Sequence, residues 1–345
     1  MIALKKGLAY SLFMIVVVEL SARIMSFSLG YGFRTDNQRF ISPFFTGTDM
    51  PYPILKNETG IFVNGHEIPY KKDKNEIRVV FVGGSTTQNK TNPDGLRYSE
   101  IVGNKVSEYF KDFNITVLNA GIAAYSTAHS LINISLRIIA FDPDIIIIHH
   151  NTNDLSANYY GEKVFTDYSN KFLSDSFLGY NHRSGFKGFF TRNFKSIRIL
   201  VWSSKVIKSI FLNNSFNREG VYNYEDGKGF FSRNLESIIA ICKMHDILPV
   251  FMTQPNRNLL DNKQAIEYNE IIRNICTKHN VQLFDIAEII SENRNNFIDQ
   301  IHYSSTGIQE ISKILSPKLI SIIEVYLLKD TIMKETTKIG NFYVY

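Results

Sequence analysis

Four segments that lie far apart in the sequence together contain the side chains that acyl transfer requires. Ser85 follows two glycines in "FVGGSTTQN", and Asp299 and His302 lie three residues apart in "FIDQIHYSSTG". Gly121 lies in "VLNAGIAAYS" and Asn153 in "HHNTNDL". Covalent acyl transfer uses a hydroxyl nucleophile, an imidazole base, a carboxylate that orients the base, and donors for an oxyanion. The residue types therefore predict this chemistry, provided that the fold brings the four segments together.

Ser85 also has two interpretations that involve no nucleophile. A serine at the start of a helix often caps its free N–H groups, and a glycine-rich turn can bind phosphate. The spacing of "GGSTTQNK" differs from G-x-x-x-x-G-K-[ST], which excludes a phosphate-binding loop of that type. The chain also has no G-x-S-x-G elbow around this serine, so the larger α/β-hydrolase fold is a poor match.

The other candidate residues have structural interpretations as well. Gly121 fits a plain turn glycine, and Asn153 fits an Asx-turn next to Asp154 as a helix cap. His302 fits an exposed surface position, although Asp299 three residues earlier favours a paired role. These alternatives stay open as long as the residues are considered one at a time.

We expect neither a metal nor a cofactor in this chain. No group of cysteines and histidines has the spacing of zinc ligands. His149 and His150 are adjacent strand residues, which point to opposite faces of a sheet, so we interpret them as structural or pocket-lining. Cys242 and Cys276, the only cysteines, lie in apolar helix-like segments and are interpreted as buried thiols, although a disulfide between them stays open.

The hydrophobic pattern from Ile77 onward predicts strands that alternate with helices. Short apolar runs predict five strands, at Arg78–Val82, Thr116–Leu118, Ile145–Ile148, Leu248–Met252 and Val281–Phe284. Helical periodicity between them predicts helices at Tyr98–Phe110, Thr127–Ala140, Phe231–His245 and Ala265–His279. Continuously apolar strands that alternate with helices indicate a parallel sheet covered on both faces, which is a doubly wound α/β domain. Ligands of such a domain bind at the carboxyl ends of its strands, and all four candidate segments follow predicted strands.

The four segments also resemble the sequence blocks of the SGNH (GDSL-type) hydrolases, and the chain looks like a bacterial, membrane-anchored member. "VGGSTT" resembles the first block, with Gly84 where the family often has aspartate. "NAGIAAYS" resembles the second block through Gly121, and "NTND" the third through Asn153, with Asn151 in place of the usual glycine. "DQIHYSSTG" resembles the last block, and the likeness extends over about residues 78–318.

The resemblance implies a flavodoxin-like three-layer α/β/α fold with a five-stranded parallel sheet, and a serine esterase mechanism. Ser85 would be the nucleophile, His302 the general base and acid, and Asp299 the carboxylate that orients the histidine. The oxyanion would be bound by the backbone N–H groups of Ser85 and Gly121 and by the side-chain amide of Asn153.

The first 30 residues predict an N-terminal hydrophobic helix. Lys5 and Lys6 precede an apolar run that Glu19 and Arg23 interrupt, an order typical of a signal anchor or a secretory signal. Since no small-x-small cleavage site follows, we favour an uncleaved single-pass anchor in the cell membrane, with the rest of the chain outside the cytoplasm. A secreted or periplasmic protein and an amphipathic helix docked on the domain or a membrane surface are the alternatives.

The remaining segments complete the predicted organisation. Residues 31–75 are rich in proline and glycine and predict an irregular connector to a hydrolase domain at 76–330, followed by a tail at 331–345. A helical insertion at 156–229 is aromatic and basic, with ten Lys and Arg against four Asp and Glu over residues 156–220. We interpret it either as a cap that stacks on sugar rings or as a helical subdomain whose basic side is solvated or faces anionic lipid.

These observations lead to one functional hypothesis and two alternatives. The net charge of +5 over 345 residues does not indicate a nucleic-acid partner. We expect a serine esterase that removes acyl groups, in the first place O-acetyl, from a cell-surface glycan or related small ester. An acyltransferase that uses the same triad to acylate a glycan, and a catalytically silent glycan-binding module, are the alternatives.

Overall fold

The computed structural model of the chain describes residues 2–28, 60–63, 66–69, 71–93, 95–160, 163–172, 189–190, 193–197, 199–200 and 224–340. These residues fall into two compact units. One contains residues 1–50 and 158–223, and the other contains residues 51–157 and 224–345. All four candidate segments belong to the second unit.

The second unit is built on a five-stranded parallel sheet. Its strands are β3 (Glu76–Gly83), β4 (Asn114–Gly121), β5 (Ile145–His149), β6 (Leu248–Met252) and β7 (Gln282–Phe284). Their order is β4-β3-β5-β6-β7, which is the flavodoxin-like order, and the predicted strands are confirmed. The order reverses between β3 and β5, so the crevice at their carboxyl ends is where such a fold binds ligands.

Helices cover the sheet as the sequence predicts. These helices of the second unit are α2 (Ser85–Gln88), α3 (Tyr98–Tyr109), α4 (Thr127–Leu136), α5 (Thr152–Ala157), α7 (Tyr224–Met244), α8 (Lys263–His279), α9 (Ala287–Ser291) and α10 (Ser305–Gly340). The first unit contains α1 (Ile2–Ser28) and α6 (Ser169–Phe172). Side chains of α3 and α10 form one hydrophobic core with Val79 and Phe81 of β3. The alternate strand residues Val80 and Val82 are also buried, so both faces of β3 are covered.

Two predicted boundaries differ from the structure. The connector expected to be irregular contains an antiparallel hairpin of β1 (Gly60–Val63) and β2 (His66–Pro69), in which Val63 pairs with His66. At the other end, α10 continues to Gly340, past the start of the predicted tail. Within the predicted insertion, long stretches lie outside the described residues.

A buried charged network stabilises the amino end of the sheet. Arg78 is fully buried and donates to both carboxylate oxygens of Glu76, at 2.8 and 2.9 Å, and to the carbonyl oxygen of Phe141. Thr116 Oγ1 also donates to Glu76, and Asp144 accepts from the backbone N–H of Arg78. Because Gly83 ends the same strand, this network lies at the opposite end of β3 from Ser85.

The N-terminal segment forms a helix, α1 (Ile2–Ser28), in the first unit. Glu19 and Arg23 form an i, i+4 ion pair at 2.8 Å, and Glu19 also accepts hydrogen bonds from the backbone N–H groups of Lys195 and Ser196. Most apolar side chains between Tyr10 and Met25 are exposed.

Within the described residues, no helix combines the length and apolar character that crossing a bilayer requires. The single-pass anchor predicted for the first 30 residues stays a prediction. The interpretation of the two cysteines as buried thiols is confirmed, since Cys242 and Cys276 are both free and buried.

Candidate active site

Ser85 stands at the carboxyl end of β3, where the chain turns into the short helix α2. The N-cap of that helix is Gly84, and Ser85 is its first helical residue. The interpretation of Ser85 as the N-cap is therefore wrong, because Gly84 occupies the N-cap position and Ser85 lies inside the helix. The hydroxyl group of Ser85 is instead turned toward His302.

Among the three residues predicted as a triad, His302 lies within hydrogen-bond distance of both Ser85 and Asp299. His302 Nε2 is 2.8 Å from Ser85 Oγ, and His302 Nδ1 is 2.7 Å from Asp299 Oδ2. Residues 217 positions apart in the sequence are thus in contact. One nitrogen of the imidazole faces the hydroxyl and the other faces the carboxylate, which is the arrangement that allows a serine to be deprotonated during attack.

The backbone of the same loop holds Asp299 in its ionised form. Burial by itself raises the pKa of this carboxyl group, but the backbone N–H groups of His302 and Ile301 donate to Asp299 Oδ1 at 2.8 and 2.9 Å. Together with the bond from the His302 ring, these donors place the pKa of Asp299 below its ordinary value. An ionised Asp299 accepts a hydrogen bond from Nδ1–H of His302, and this tautomer leaves Nε2 free to accept the proton of Ser85.

A polar depression surrounds the Ser85 hydroxyl. It encloses about 210 Å³ of space that is partly open to solvent. Its lining residues come from the ends of β3, β5 and β6 and from the His302 loop, and all but one of the side chains are polar or absent: Gly84, Ser85, Thr86, His149, His150, Asn151, Thr152, Asn153, Gln254 and Ile301. The depression therefore lies at the predicted edge of the sheet, at the point where the strand order reverses.

Asn153 lies in this depression, as predicted for an oxyanion donor. Its Nδ2 donates to the carbonyl oxygen of Tyr125 at 2.8 Å, which orients the amide. The interpretation in which Asp154 caps its own helix is wrong, because the Asp154 carboxylate accepts from the backbone N–H of Thr127, at the start of α4. Asn151, the substitute for the family glycine, is buried and donates to Asn269 Oδ1 and to the Ala265 carbonyl oxygen, both at 2.9 Å.

Gly121 differs from its predicted role. Its backbone N–H donates to the side-chain oxygen of Asn119 at 3.0 Å, so this donor already has a partner within the chain. A Cβ atom at Gly121 would collide with the backbone of Thr87 and Gln88. Glycine is therefore required here so that β4 and α2 can approach closely, and the structure does not support an oxyanion contact from this N–H.

Ala124 follows Gly121 in the same loop, and no motif in the sequence singles it out. Tyr125 N–H donates to the Ile122 carbonyl oxygen, so these residues form a tight turn, and Ala124 has φ of 66° at its centre. An alanine seldom adopts this left-handed conformation. The turn presents the Tyr125 carbonyl oxygen that orients Asn153, so backbone strain is found next to the candidate site.

His149 and His150 are pocket-lining residues, as predicted. Both are buried, and their rings have separate partners: Thr87 Oγ1 is 3.2 Å from His149 Nδ1, and Ser130 Oγ is 2.7 Å from His150 Nε2. Burial lowers the pKa of each imidazole to about 3, so both rings are neutral at physiological pH.

Residues 81–309 match the family model described as the GDSL-like lipase/acylhydrolase family. The match covers about two thirds of the chain, and the chain belongs to this family. It is a serine ester hydrolase, in agreement with the arrangement of Ser85 and His302. No curated protein sequence matches the chain at a significant level.

Several solved structures are similar in fold at low sequence identity. A G-D-S-L family protein from Desulfitobacterium hafniense DCB-2 is 12% identical, with a TM-score of 0.42 over 70% of this chain and 98% of that chain. Axe2, an acetylxylan esterase from Geobacillus stearothermophilus, is 16% identical, with a TM-score of 0.44 over 69% and 92%. The acetyl xylan esterase AlAXEase is 14% identical, with a TM-score of 0.44 over 69% and 98%. Likenesses at this level do not assign a substrate.

Proposed function

We propose that this chain is an esterase that removes short acyl groups, with acetyl as the main one, from an acylated glycan or a related small ester. The observation that carries the proposal is the contact of His302 with Ser85 on one side and Asp299 on the other, inside a small polar depression. Within the family of acylhydrolases, this arrangement supports hydrolysis through a covalent acyl-enzyme.

In the proposed mechanism, Ser85 Oγ attacks the ester carbonyl carbon while His302 Nε2 accepts the hydroxyl proton. Asp299 stabilises the imidazolium that forms, and the proton then passes to the departing alcohol. Water enters, gives its proton to His302 and attacks the acyl-serine, which releases the acid and restores the hydroxyl. The backbone N–H of Ser85 and the amide of Asn153 are the proposed donors to the oxyanion, where each donor contributes about 3–4 kcal/mol.

The lining of the depression supports a short acyl group. Of its ten residues, Ile301 is the only one with a purely aliphatic side chain, so a long alkyl chain would gain little burial there. The glycan part of the proposal rests on the aromatic insertion, where Phe165 and Phe189 have about half of their surface exposed. Exposed aromatic faces provide flat apolar surfaces of the kind that sugar rings pack against.

Covalent labelling tests the proposal directly. A fluorophosphonate probe forms a stable bond only with an activated serine, and peptide mass mapping identifies the labelled residue. We expect a single label on Ser85 in the wild-type protein and none in Ser85→Ala. A folded wild-type protein without label would favour the silent binding module.

A second experiment identifies the acceptor. Wild-type enzyme that has not been exposed to the probe is incubated with a partially O-acetylated oligosaccharide and a non-acetylated one, and acetate release is measured together with the masses of the sugars. Free acetate as the main product supports the esterase, whereas acetyl groups that move to a non-acetylated oligosaccharide would identify a transferase.

We also propose that the catalytic unit acts outside the cytoplasm, because Lys5 and Lys6 precede an apolar run as in exported proteins. A fusion after residue 35 to a reporter that is active only outside the cytoplasm tests this placement. Fractionation and mass measurement of the native chain then distinguish membrane-bound, cleaved and cytoplasmic forms, and a cytoplasmic form would contradict the proposal.

A further inference from the structure

A buried histidine lies beneath the candidate site and contacts both segments that supply the triad. His149 is 1% exposed, and its Nδ1 is 3.2 Å from Thr87 Oγ1. On the other side of the ring, His149 Nε2 is 3.4 Å from the hydroxyl oxygen of Tyr303. Thr87 lies two residues after Ser85 on α2, and Tyr303 directly follows His302.

The partners of His149 are as deeply buried as the ring itself. Thr87 is fully buried, and Tyr303 is 1% exposed. Tyr303 also pairs with Phe297 in an isolated bridge, and Ile298 N–H donates to the His302 carbonyl oxygen at 2.9 Å. Tyr303 therefore closes the loop that carries Asp299 and His302, so a displacement of its ring would be passed on to the whole loop.

The ring of His149 is suited to join two hydroxyl groups. Its neutral imidazole has one nitrogen that donates and one that accepts, whereas each hydroxyl group can do either. Burial lowers its pKa to about 3, so this pattern does not change over the pH range in which an esterase works. Tyr98, whose hydroxyl oxygen is 3.4 Å from His149 Nδ1, packs edge-on against both His149 and Tyr303.

We propose that His149 is a positioning residue that sets the separation of Ser85 and His302 by joining Thr87 to Tyr303. The nucleophile and the base come from segments more than 200 positions apart, and their 2.8 Å contact requires that both segments are held against the same part of the fold. His149, at the end of β5, contacts both segments and holds them at this separation. The inference rests on the proposed function, because it assigns a role in activating Ser85.

The size of the effect follows from geometry. The contacts of His149 Nδ1 and Nε2, at 3.2 and 3.4 Å, are longer than most hydrogen bonds in proteins. Each contact is therefore weak, and its effect is to orient Thr87 and Tyr303 and not to add much stability. Displacing a catalytic group by about 1 Å costs up to about a hundredfold in rate. We therefore expect His149→Phe to lower kcat by about ten- to hundredfold. KM should stay within about twofold of wild type, because His149 is 1% exposed and offers almost no surface to a substrate.

The experiment compares four proteins by two readouts. Wild type, His149→Phe, Tyr303→Phe and the double variant are measured for kcat and KM on a short-chain aryl ester, and for the rate at which a fluorophosphonate labels Ser85. The labelling rate measures how strongly the Ser85 hydroxyl is activated, and it does not depend on how a sugar or an acyl group binds. We expect it to fall in parallel with kcat, and the double variant to be no slower than His149→Phe alone, because both act through one contact.

Ser130→Ala is the matched control. Ser130 is fully buried and bonds to His150 Nε2 at 2.7 Å, so this variant removes a buried hydrogen bond from the neighbouring histidine. We expect a lower melting temperature with kcat within about twofold of wild type. His149→Gln, which keeps a donor and an acceptor, should retain a higher kcat than His149→Phe. If His149→Phe does not fold, Tyr303→Phe alone carries the test and should lose about severalfold in kcat.

The results separate this inference from the proposed function. A wild-type protein that is neither labelled nor active would overturn the function before any variant is compared. An active wild type together with unchanged kcat and labelling in folded His149→Phe and Tyr303→Phe would overturn the role of His149. Fully additive losses in the double variant would do the same, since they would show that the two residues act independently.

Discussion

A Cβ atom on Gly84 would lie 2.5 Å from the Nδ2 atom of Asn153. The same atom would lie 3.2 Å from the Tyr125 carbonyl oxygen, to which that amide donates. The residue before the nucleophile and the proposed oxyanion donor therefore compete for one space. In this chain the space is occupied by the asparagine amide, and the glycine at position 84 leaves room for it.

We expect Gly84→Ala to lower kcat for a short-chain ester by about ten- to a hundredfold, because the new methyl group must displace the Asn153 amide. Gly229→Ala is the control, since a Cβ there meets nothing within 4 Å and the residue lies in α7. That variant should keep full activity and gain about 0.5–1 kcal/mol in stability. Full activity in Gly84→Ala would show that Asn153 does not need its present position.

The second prediction concerns the triad as a unit. Ser85→Ala and His302→Ala should each lower kcat by more than about a thousandfold while leaving the melting transition intact. The double variant should be scarcely worse than either single variant, because neither residue acts without the other. Steady-state kinetics on an aryl acetate measures all three, and multiplied losses in the double variant would contradict a common mechanism.

The sheet and the position of the site could be predicted from the sequence because both follow from local patterns. All eight residues of β3 are buried, and four consecutive apolar residues from Val79 to Val82 make the strand easy to recognise. Ser85, Asn153 and His302 follow strands, and strand ends of a parallel sheet meet at one edge. The hairpin of β1 and β2 could also be predicted, because the sequence between them is Asn64-Gly65, the dipeptide favoured in two-residue hairpin loops.

The remaining features depend on contacts that no short segment of sequence contains. The N–H of Gly121 donates to a side-chain oxygen two residues away, and only the three-dimensional arrangement shows that this donor is occupied. The left-handed conformation of Ala124 has no sequence signal, since alanine gives none. The contact of His149 with Tyr303 joins residues 154 positions apart and is visible only once the sheet is assembled.

The third prediction is a preference for short acyl chains. The lining of the depression around Ser85 is polar apart from Ile301, so a dodecanoyl chain would gain little burial there and would remain in contact with water. We expect kcat/KM for an aryl acetate to exceed that for the aryl dodecanoate, measured below the concentration at which the long ester forms micelles. A clear preference for the long chain would redirect the function toward lipid hydrolysis.

The fourth prediction concerns stability against acid. Burial raises the pKa of Glu76, but the hydrogen bonds from Arg78, Thr116 and Asp73 outweigh it and place the folded-state pKa below the ordinary value. The stabilisation by this carboxylate is therefore complete above the unfolded-state pKa, and is lost as the pH falls through the folded-state pKa. Glu76→Gln leaves the buried charge of Arg78 without its partner and should cost about 3–5 kcal/mol at neutral pH.

Urea denaturation of wild type and Glu76→Gln at a series of pH values measures this effect. The difference between the two proteins should shrink as the pH falls below the folded-state pKa of Glu76, because the wild-type side chain is then also neutral. Glu292→Gln is the control, since Glu292 is exposed, and it should change stability by less than about 0.5 kcal/mol. A difference that is independent of pH would show that packing and not charge is responsible.

The last prediction concerns the strained turn beside the site. Ala124 has φ of 66°, which glycine adopts without cost and alanine does not. We expect Ala124→Gly to raise the free energy of unfolding by up to about 1 kcal/mol, because the relief of strain exceeds the entropy that glycine adds to the unfolded chain. Ala123→Gly, at the preceding turn position, is outside the left-handed region and should instead lower it by about 0.5–1 kcal/mol. Urea denaturation shows whether each variant raises or lowers the free energy of unfolding. A lower value for both variants would show that the turn is not strained at Ala124.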